Sequence, residues 1–571
     1  MFSLKVRFLK NQHIIYWIFL GMLILPNVFM FFTESTSLLT RVIGITLPLA
    51  FYWIALTLKK KPGHMFWWLF FFSFLAAFQI VLLDLFGESP IAVDMFINAV
   101  TSNTSEIYEL LTQLSRSVIF VVLIYGSGIA LSIVSIRNKA TLRQAFQRKQ
   151  RIVGAVLLAV SLVMLGVNYH KNEHFRMSDD IFPINGTYNF LLSFDRLYRS
   201  AHYPVAVEGY KHEASYNRHD TIPEVYVMVI GETLRADEMG IYGYHRDTTP
   251  HLSSDSIITS GLVVFRDALS MSNTTHKSVP LLLTPAASQG SFDSLYSEKG
   301  VISAMEEAGF TTAFYSNQRR NGSFIDFLGT EAQDVNFIKD SVSLTANPMD
   351  DELVTLLERK LRAASGQRLF VVLHCYGSHF DYRDRYTEPF ARMGDTDYPN
   401  AVKEYRQQLV NAYDNTILYA DYVLAGIMQV LHDSGRPAVM LFTSDHGEDI
   451  YDDSRNRLLH ASPLPTYYQL RVPFIAWASP EWREAHPAQW KAMQGNASKP
   501  VMTNMVMYHT LLDLAGVRTR LLRDEMALGN PTFKPVKRLY VNDHNEFRPI
   551  ERCGLKPIDI EQFHKHNIQF P

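Results

Sequence analysis

Long apolar runs divide the chain into two parts. Five of them fall within residues 1–170, at Ile14–Phe32, Val42–Leu58, Phe66–Leu83, Val118–Ile136 and Ile152–Val167. Each is close to the ~20 residues that an α-helix needs to span a bilayer. One such run could be a buried helix or a signal peptide, but five in succession exclude both. The pattern therefore predicts a transmembrane domain of five spans over residues 1–170.

Basic residues near the ends of these runs predict the orientation of the domain. Three basic clusters, Lys5–Lys10, Lys59–Lys61 and Arg137–Arg151, fall in loops on one side. The alternate loops, around Glu34 and over Gly87–Ser115, are poor in Lys and Arg. We therefore expect a cytoplasmic N-terminus. Because the number of spans is odd, everything after the fifth span is expected outside the cytoplasm.

The rest of the chain has a different pattern. Residues 171–220 are polar and aromatic without clear periodicity, which predicts a linker along the membrane. From residue 221 to 571 short apolar runs alternate with amphipathic segments, which predicts an α/β domain with a mostly parallel sheet covered by helices on both faces. The predicted strands are Val225–Ile230, Thr311–Tyr315, Leu369–Leu373 and Ala438–Phe442, and the predicted helices lie near Val301–Ala308, Asp350–Leu361 and Glu404–His432.

The net charge of −2 adds no signal for a nucleic-acid partner, and none is expected. The chain has two cysteines, Cys375 and Cys553. Extracytoplasmic domains often use several disulfides, so this scarcity predicts a domain held together by its core. Cys375 follows a predicted strand and is expected to be a buried apolar residue.

Two of the predicted strands end in side chains that bind metals. The run Ala438–Phe442 leads into Thr443–Asp449, which contains Asp445 next to His446, and Val225–Ile230 leads into Glu232. The carboxyl ends of parallel strands are where α/β sheets build their sites. Carboxylate oxygen and imidazole nitrogen are ligands of Zn²⁺. The two strand ends together therefore predict a metal site.

Two histidines extend this hypothesis. His379 follows the strand Leu369–Leu373, and His460 follows the heptapeptide Thr443–Asp449. A lone histidine in such a place is more often a structural hydrogen-bonding residue than a ligand. Its position beside the other strand ends favours a role in the site.

The segment Ala268–Pro280 is rich in hydroxyl groups and has two interpretations. Ser, Thr and Asn are favoured at the N-caps of helices, which makes a structural role sufficient. A helix N-terminus also binds phosphate, and a nearby metal can turn a hydroxyl into a nucleophile. Residue chemistry alone leaves four candidates nearly equal: Ser272, Thr274, Thr275 and Ser278.

At this point the sequence resembles a known family. The motifs Gly231-Glu232-Thr-x-Arg235 and Gly240-Ile-Tyr-Gly243-Tyr-x-Arg246-x-Thr-x-Pro250 look like the opening of the bacterial phosphoethanolamine transferases. These are inner-membrane enzymes of the alkaline phosphatase and sulfatase superfamily. The resemblance covers nearly the whole chain and includes five spans, a linker and further motifs at Thr275–Pro280, Gly377–His379, Ser444–Glu448 and His460.

The resemblance implies a role for each matching residue. Thr275 would be the nucleophile, and its oxygen would bind one Zn²⁺ together with Glu232, Asp445 and His446. His379 and His460 would bind the substrate phosphate or a second Zn²⁺. In the loop before the fourth span, Asn98, Ser102 and Glu106 would share one helical face and contact the lipid head group; a solvated amphipathic helix explains the same spacing equally well.

The implied reaction moves phosphoethanolamine from phosphatidylethanolamine to lipid A or the lipopolysaccharide core through a covalent phospho-threonine, with release of diacylglycerol. The implied protein is a monomer in the bacterial inner membrane, with an alkaline-phosphatase-like catalytic domain in the periplasm. Two features depart from the family: its several disulfides are missing, and His276 and Lys277 replace residues that are usually uncharged.

Three alternatives remain at the level of sequence. A sulfatase or phosphatase is the nearest, but sulfatases make formylglycine in a motif with Pro and Arg, and Ser278-Val-Pro280 lacks the Arg. A glycerol-phosphate transferase of the same superfamily shares the five-span plan. An inactive sensor or scaffold would be expected to have lost some of the candidate site residues, all of which are present.

Overall fold

The structure, a computed structural model, describes residues 11–34, 36–101, 115–172, 175–218, 222–254, 256, 259–343 and 346–570. These residues divide into two units. The first contains the described residues up to Ile97, those from 115 to Asp195, and Asp453–Arg457. The second contains 98–101, the described part of Arg196–Asp452, and 458–570.

The N-terminal part of the chain is helical. Its helices are α1 (Gln12–Thr33), α2 (Leu38–Ala55), α3 (Pro62–Trp68), α4 (Phe70–Phe86), α5 (Val93–Thr101), α6 (Ser115–Val121), α7 (Ser127–Arg137), α8 (Gln144–Lys171), α9 (Met177–Asp180), α10 (Ile184–Ala201) and α11 (Tyr203–Ala206). Among the described residues, four helices are long and apolar enough to cross a membrane: α1, α2, α8 and the helix Arg116–Arg137, in which a π-helical turn joins α6 to α7. The pair α3 and α4 also passes this test but is bent by 68°.

The predicted third span is therefore interrupted. The apolar run Phe66–Leu83 breaks at Leu69, whose backbone is not helical. Large aromatic residues flank the break on both sides, at Phe66–Trp68 and Phe70–Phe72. Aromatic side chains lose rotamer freedom in a helix and so support it weakly. If the bent pair counts as one span, the total is the predicted five.

The prediction that residues 171–220 lack helical periodicity is wrong, because α9, α10 and α11 all lie there. Helix α10 runs for 18 residues. Its aromatic residues Phe190, Phe194 and Tyr198 recur at a spacing of four, which is a helical period. Phe194 and Tyr198 are exposed, so this spacing marks a surface stripe rather than a core face.

The second unit contains the predicted α/β fold. Its strands are β1 (Ser215–Tyr216), β2 (Val225–Gly231), β3 (Leu262–Phe265), β4 (Ala268–Leu269), β5 (Thr311–Ser316), β6 (Asp334–Phe337), β7 (Leu369–His374), β8 (Ala438–Ser444), β9 (Asp449–Ile450), β10 (Leu458–Leu459), β11 (Phe474–Ala478), β12 (Val501–Met502), β13 (Val517–Arg518), β14 (Leu539–Val541) and β15 (Phe547–Pro549). Its helices are α12 (Thr275–Leu283), α13 (Ala286–Gln289), α14 (Val301–Glu307), α15 (Phe324–Gly329), α16 (Asp351–Ala363), α17 (Arg406–Asp433), α18 (Tyr467–Leu470), α19 (Pro480–Ala485), α20 (Pro487–Asn496), α21 (Thr503–Leu514) and α22 (Pro557–Lys565).

Seven strands form the main sheet in the order β3-β11-β8-β2-β7-β5-β6. Strands β8, β2, β7, β5 and β6 pair in parallel, whereas β11 is antiparallel to both of its neighbours. In β2, Ile230 lies opposite His374 of β7 on one side and Thr443 of β8 on the other. The three central strands therefore end at the same level of one sheet edge.

Both faces of the sheet are buried, as the uniformly apolar strands predict. Val225, Val227 and Val229 face one core, which includes residues of α16 and α17. Tyr226, Met228 and Ile230 face a second core, which includes residues of α12, α14 and α21. A mostly parallel sheet between two helical layers confirms the predicted fold.

Candidate metal centre and active site

Three strand ends bring the predicted residues together. Glu232 follows β2, Asp445 follows β8, and the loop to His379 follows β7. Because β2 lies between the other two strands in register, the backbone itself converges on one place. The amide of Thr233 donates to Asp445 Oδ1 at 3.1 Å, which joins two of these ends directly.

Glu232, Asp445 and His446 form a fully buried cluster. His446 Nε2 lies 3.2 Å from Asp445 Oδ2 and 3.6 Å from Glu232 Oε1. Burial raises the pKa of both carboxyl groups, and the charge of Asp445 raises that of Glu232 further. Two buried carboxylates beside one imidazole nitrogen, without a positively charged partner, raise the free energy of the folded protein. The cluster therefore favours a bound cation.

The tautomer of His446 suits a metal. Its Nδ1 donates to the carbonyl of Gly447 at 2.9 Å, which leaves the lone pair of Nε2 directed at the carboxylates. Burial lowers the pKa of His446 well below its ordinary value, so the ring is neutral. A neutral imidazole oriented by a backbone carbonyl is the form that binds metals.

Asp445 provides the clearest sign that the cluster fits a metal ion. Its Oδ1 accepts from the amides of Thr233 and His446. Its Oδ2 is buried and receives no hydrogen bond from any described residue. A buried carboxylate oxygen without a donor is expensive, and a cation would satisfy it. The donor set of carboxylate oxygens and one imidazole nitrogen fits Zn²⁺.

The structure separates the four hydroxyl candidates. Thr275 Oγ1 lies 3.0 Å from His446 Nε2 and 3.2 Å from Glu232 Oε1. Ser278 Oγ instead donates to the main-chain oxygen of Asp445 at 2.6 Å. The hydroxyls of Ser272 and Thr274 bond to each other at 3.1 Å. Among the four, Thr275 is the one whose hydroxyl contacts the candidate metal ligands.

Thr275 is also the first residue of α12, with Thr274 as its N-cap. The first turn of a helix carries amide groups without intrahelical partners. These groups and the helix dipole attract an anion to the place where the Thr275 hydroxyl lies. Both interpretations of the hydroxyl-rich segment, helix start and phosphate site, are therefore compatible with one geometry.

His460 lies beside this cluster. Its ring centre is 4.2 Å from that of His446, and donor atoms of Glu232, His446 and His460 lie within 4.8 Å of one another. His460 Nδ1 is 3.4 Å from Glu448 Oε2, and Tyr382 donates to the other oxygen of Glu448. Glu448 is buried and orients His460. It belongs to the predicted heptapeptide, but its role was not predicted.

His379 forms the next part of the site, with its ring centre 6.0 Å from that of His460. The ring stacks on Tyr376 and its Nδ1 donates to the carbonyl of Phe380 at 2.7 Å. Burial lowers the pKa of His379, and the Arg385 guanidinium lowers it further. The neutral ring thus presents the lone pair of Nε2, as His446 does.

Gln318 is a site residue that the sequence analysis missed. Its Nε2 lies 3.2 Å from Glu232 Oε2, 3.3 Å from His374 Nε2 and 3.2 Å from the carbonyl of Cys375. It belongs to the segment after β5, which lies outside the family motifs quoted above. The order of the strands is the signal that would have found it, because β5 lies next to β7.

Gly377 is required by close packing of two strand ends. It has a positive φ of 52°, and a Cβ there would lie 2.7 Å from the carbonyl oxygen and 2.8 Å from the nitrogen of Glu232. The buried carboxylate of Asp350 accepts from the amides of Tyr376 and Gly377. The loop to His379 is therefore held against Glu232.

The remaining predicted residues are placed as follows. Cys375 and Cys553 are both buried and free, so the prediction of a buried apolar role for Cys375 is confirmed. Asn98 is half-buried near the end of α5. Ser102 and Glu106 lie outside the described residues, and the shared helical face stays a prediction.

Comparison with known proteins identifies the family. A sequence profile of the sulfatase family matches residues 224–517, half of the chain. The chain belongs to the sulfatase family. The matched region contains all six residues of the candidate centre, from Glu232 to His460.

Individual relatives within this family carry more specific names. The phosphoethanolamine transferase EptC of Escherichia coli K12 is 26% identical over 330 residues, 57% of this chain and 56% of its own length. The match thus spans just over half of that relative. The zinc complex of the periplasmic domain of E. coli EptC aligns at 24% identity with a TM-score of 0.54, covering 60% of this chain and 96% of that domain.

A second solved structure extends the likeness to the membrane helices. The integral membrane lipooligosaccharide phosphoethanolamine transferase A of Neisseria meningitidis aligns at 20% identity with a TM-score of 0.72. The alignment covers 90% of this chain and 97% of that protein. The EptC domain supports the fold of the sulfatase-family domain, and the neisserial protein supports the same fold preceded by apolar N-terminal helices.

Proposed function

We propose that the protein transfers phosphoethanolamine from phosphatidylethanolamine to a lipopolysaccharide acceptor, on lipid A or the core, through a covalent phospho-Thr275. One observation carries the proposal: the Thr275 hydroxyl lies at a helix N-terminus within 3.2 Å of both His446 Nε2 and Glu232 Oε1. The names of EptC and of the neisserial protein support phosphoethanolamine as the group transferred.

In the first step Thr275 Oγ1 attacks the phosphorus of the lipid and loses its proton to a neighbouring acceptor. The bond from phosphorus to the glyceryl oxygen breaks, and that oxygen takes up a proton as diacylglycerol leaves. In the second step an acceptor oxygen attacks phosphorus and loses its proton, the bond from phosphorus to Thr275 Oγ1 breaks, and Thr275 Oγ1 takes up a proton. A covalent intermediate allows donor and acceptor to bind one after the other.

Glu232, Thr275, Asp445 and His446 would hold the zinc ion. When bound, zinc would lower the pKa of the Thr275 hydroxyl and offset phosphate charge. His446 and Glu232 keep that hydroxyl in place, while His379 and His460 line the side on which the phosphate or a second metal would lie. Removal of one such contact typically costs about 10²–10³ in rate.

The covalent step has a direct test. Full-length protein incubated with phosphatidylethanolamine vesicles should gain the mass of phosphoethanolamine on the peptide that contains Thr275, with release of diacylglycerol. Thr275→Ala should remove both. Thr274→Ala is the matched control and should keep both, because the Thr274 hydroxyl bonds to Ser272. An adduct on Thr274 or Ser272 would contradict the assignment, and transfer without any adduct would favour direct displacement.

A sulfatase activity is the main competitor, since the family includes it. Formylglycine formation would have to use Ser278, because no cysteine lies in the segment. Ser278 Oγ donates to the Asp445 carbonyl and accepts from Asn504 Nδ2 at 2.9 Å. Its hydroxyl is thus engaged in structural bonds, which favours Thr275 chemistry.

The proposal places the sulfatase-family domain in the periplasm and the apolar helices in the inner membrane, with the chain acting as a monomer. A reporter that is active only outside the cytoplasm should be active when fused after Asn168 or Pro571. The same reporter should be silent after Arg143, in the basic loop between the fourth and fifth spans. The opposite pattern would overturn the compartment and with it the lipid donor.

A further inference from the structure

One polar cavity is lined by residues other than Thr275 and the candidate metal ligands. The proposed reaction does not use it. Its volume is about 250 Å³, which is below the range of about 300–1,000 Å³ that drug-sized ligands occupy. It therefore suits a small molecule. We call it the arginine pocket; its walls are Arg235, Glu238, Tyr244, His245, Arg246, Arg406, Gln407, Val410, Tyr413, Ile450 and Asp452.

The pocket is built by a motif that has no other assigned role. Tyr244, His245 and Arg246 come from the second family motif, between Gly240 and Pro250. Tyr244 donates to Asp414 Oδ2 at 3.1 Å, and Arg246 Nη1 binds the same oxygen at 2.8 Å. Both side chains are thus anchored on α17, and the motif has a fixed shape at the pocket wall.

The charges of the pocket are nearly balanced. Arg235 binds Asp452 at 3.0 Å and Glu238 Oε1 at 2.7 Å, and its side chain is only 4% exposed. Arg406 and Arg246 lie nearer the surface, with side chains 41% and 24% exposed. A ligand with only negative charge would be repelled by the carboxylates deep in the pocket. A ligand with only positive charge would be repelled by the guanidinium groups near the surface. A ligand that carries both signs matches this distribution.

Glu238 offers a place for the positive end of such a ligand. Among the described residues nothing donates a hydrogen bond to its buried Oε2. Burial raises the pKa of Glu238 to about 8, so in the empty pocket the carboxyl group holds a proton at neutral pH and would release it on binding an ammonium group. The aromatic rings of Tyr244 and Tyr413 line the same cavity. A carboxylate beside aromatic faces is a favourable environment for an ammonium group.

Arg235 joins the pocket to the metal centre. Its Nη1 donates to the carbonyl of Glu448 at 3.1 Å, and Glu448 orients His460. Its amide donates to Tyr413, which in turn donates to the carbonyl of Thr233, the neighbour of Glu232. A molecule bound in the pocket in contact with Arg235 or Glu238 would therefore stabilise the backbone segments that carry the candidate metal ligands.

We propose that the arginine pocket is a second binding site for a zwitterionic phosphoethanolamine group, with the ammonium at Glu238 and the phosphate at Arg246 and Arg406. The choice of this group among small zwitterions rests on the proposed function. The group can belong to a lipid head group or to a soluble molecule, since both present the same two charges.

Binding of free phosphoethanolamine to the zinc-loaded, full-length Thr275→Ala protein in detergent tests this site without turnover. Calorimetric titration should show two binding events. Arg406→Gln, at a half-exposed position, should weaken one event by about tenfold or more, because charge-assisted bonds are the strong ones. Arg362→Gln, an exposed arginine on α16 outside the pocket, is the matched control and should leave both events intact. A single event that Arg406→Gln does not change would overturn the proposal.

Glu238→Gln tests the ammonium contact separately. It should remove the preference of the second site for phosphoethanolamine over inorganic phosphate while phosphate binding remains. Equal affinity of the unaltered site for the two ligands would make it an anion site and overturn the proposal. If the natural ligand is a lipid head group, nanodiscs of phosphatidylethanolamine should compete with free phosphoethanolamine for this site. If free phosphoethanolamine binds and the nanodiscs do not compete, the natural ligand is a soluble molecule. Because binding is measured without transfer, failure of this site and failure of the proposed function give different results.

Discussion

The metal centre and the arginine pocket share the loop after β8 but neutralise buried carboxylates in different ways. In the pocket, Asp452 is paired with both Arg235 and Arg406. In the metal centre, Glu232 and Asp445 lie beside a neutral imidazole, and Asp445 Oδ2 receives no hydrogen bond from the described residues. A protein fold can bury carboxylates with its own cations, as the pocket does. The candidate metal centre therefore differs from the pocket in having no cationic side chain paired with its carboxylates among the described residues, as the proposed metal site requires.

The largest expected effect is loss of the chemistry itself. Thr275→Ala leaves the carboxylates and both histidines in place and removes the attacking oxygen. Acceptor modification by full-length protein should fall by about 10⁴-fold or more, as for other lost nucleophiles. Zinc content, measured by elemental analysis, should fall far less, because three ligands remain. Near-normal transfer would show that the hydroxyl is only a helix-capping group.

Arg235→Met should produce the largest loss of stability. It leaves the buried Asp452 with only the more distant Arg406 as counter-charge, and breaking a buried pair in this way typically costs about 3–5 kcal/mol. Thermal unfolding of the full-length protein in detergent measures the loss. Arg362→Met removes an exposed pair with Glu358 and should change stability by no more than about 0.5 kcal/mol. Equal effects would mean that the pocket charges are not structurally paired.

Asp445→Asn should change stability in opposite directions with and without metal. The new side chain keeps an oxygen for the amides of Thr233 and His446 while it removes the negative charge. In chelator-treated protein the variant should be more stable than the original by about 1 kcal/mol or more, because replacing uncompensated buried charge is often stabilising. In zinc-loaded protein it should be less stable and inactive. Destabilisation in both states would indicate that the carboxylate is satisfied by the fold.

The most gradual of the predicted effects is a pH dependence of stability caused by Glu238. Its pKa is raised to about 8 by burial, so between about 4.5 and 8 the folded protein keeps a proton that the unfolded chain releases. This contribution is fully present below about 4.5 and is lost as the pH rises towards 8. Its slope cannot exceed about 1.4 kcal/mol per pH unit.

Glu238→Gln, compared with the unaltered zinc-loaded protein, isolates this contribution. The difference between their unfolding free energies should change across that window and be flat above it. A difference that is constant with pH would mean that Arg235 holds Glu238 ionised throughout.

The sheet could be predicted from sequence because its central strands are buried on both faces. The runs Val225–Ile230 and Ala438–Phe442 are apolar at every position and end in polar residues, which few other structures allow. Because parallel neighbouring strands end at the same edge of a sheet, the residues that follow them, Glu232, Asp445 and His446, could be predicted to lie near one another. Helix α10 is harder to predict, because its aromatic residues Phe194 and Tyr198 form an exposed stripe and not the buried face that is typical of a helix in a globular domain.

Other parts of the site depend on contacts between distant segments. Residue chemistry could not choose between Thr275 and Ser278, since the difference is which neighbour each hydroxyl meets. Gln318 reaches Glu232 because β5 lies beside β7 and next but one to β2, which is a feature of strand order. The arginine pocket combines residues near 240 with residues near 406 and 452, so no local pattern announces it.

The order of the sheet also sets when the centre can form during synthesis. The amide of Thr233 and the carboxylate of Asp445 are 212 residues apart in the chain, and β8 must insert beside β2 before they meet. A ribosome-bound chain that ends before β8 carries Glu232 and Thr275 but has no site that selects a metal, because ligand sets of this kind rarely exist in unfolded chains. Under the proposed function, metal would thus be acquired late, and a truncated product of translation would carry the Thr275 hydroxyl without the metal that the proposal requires.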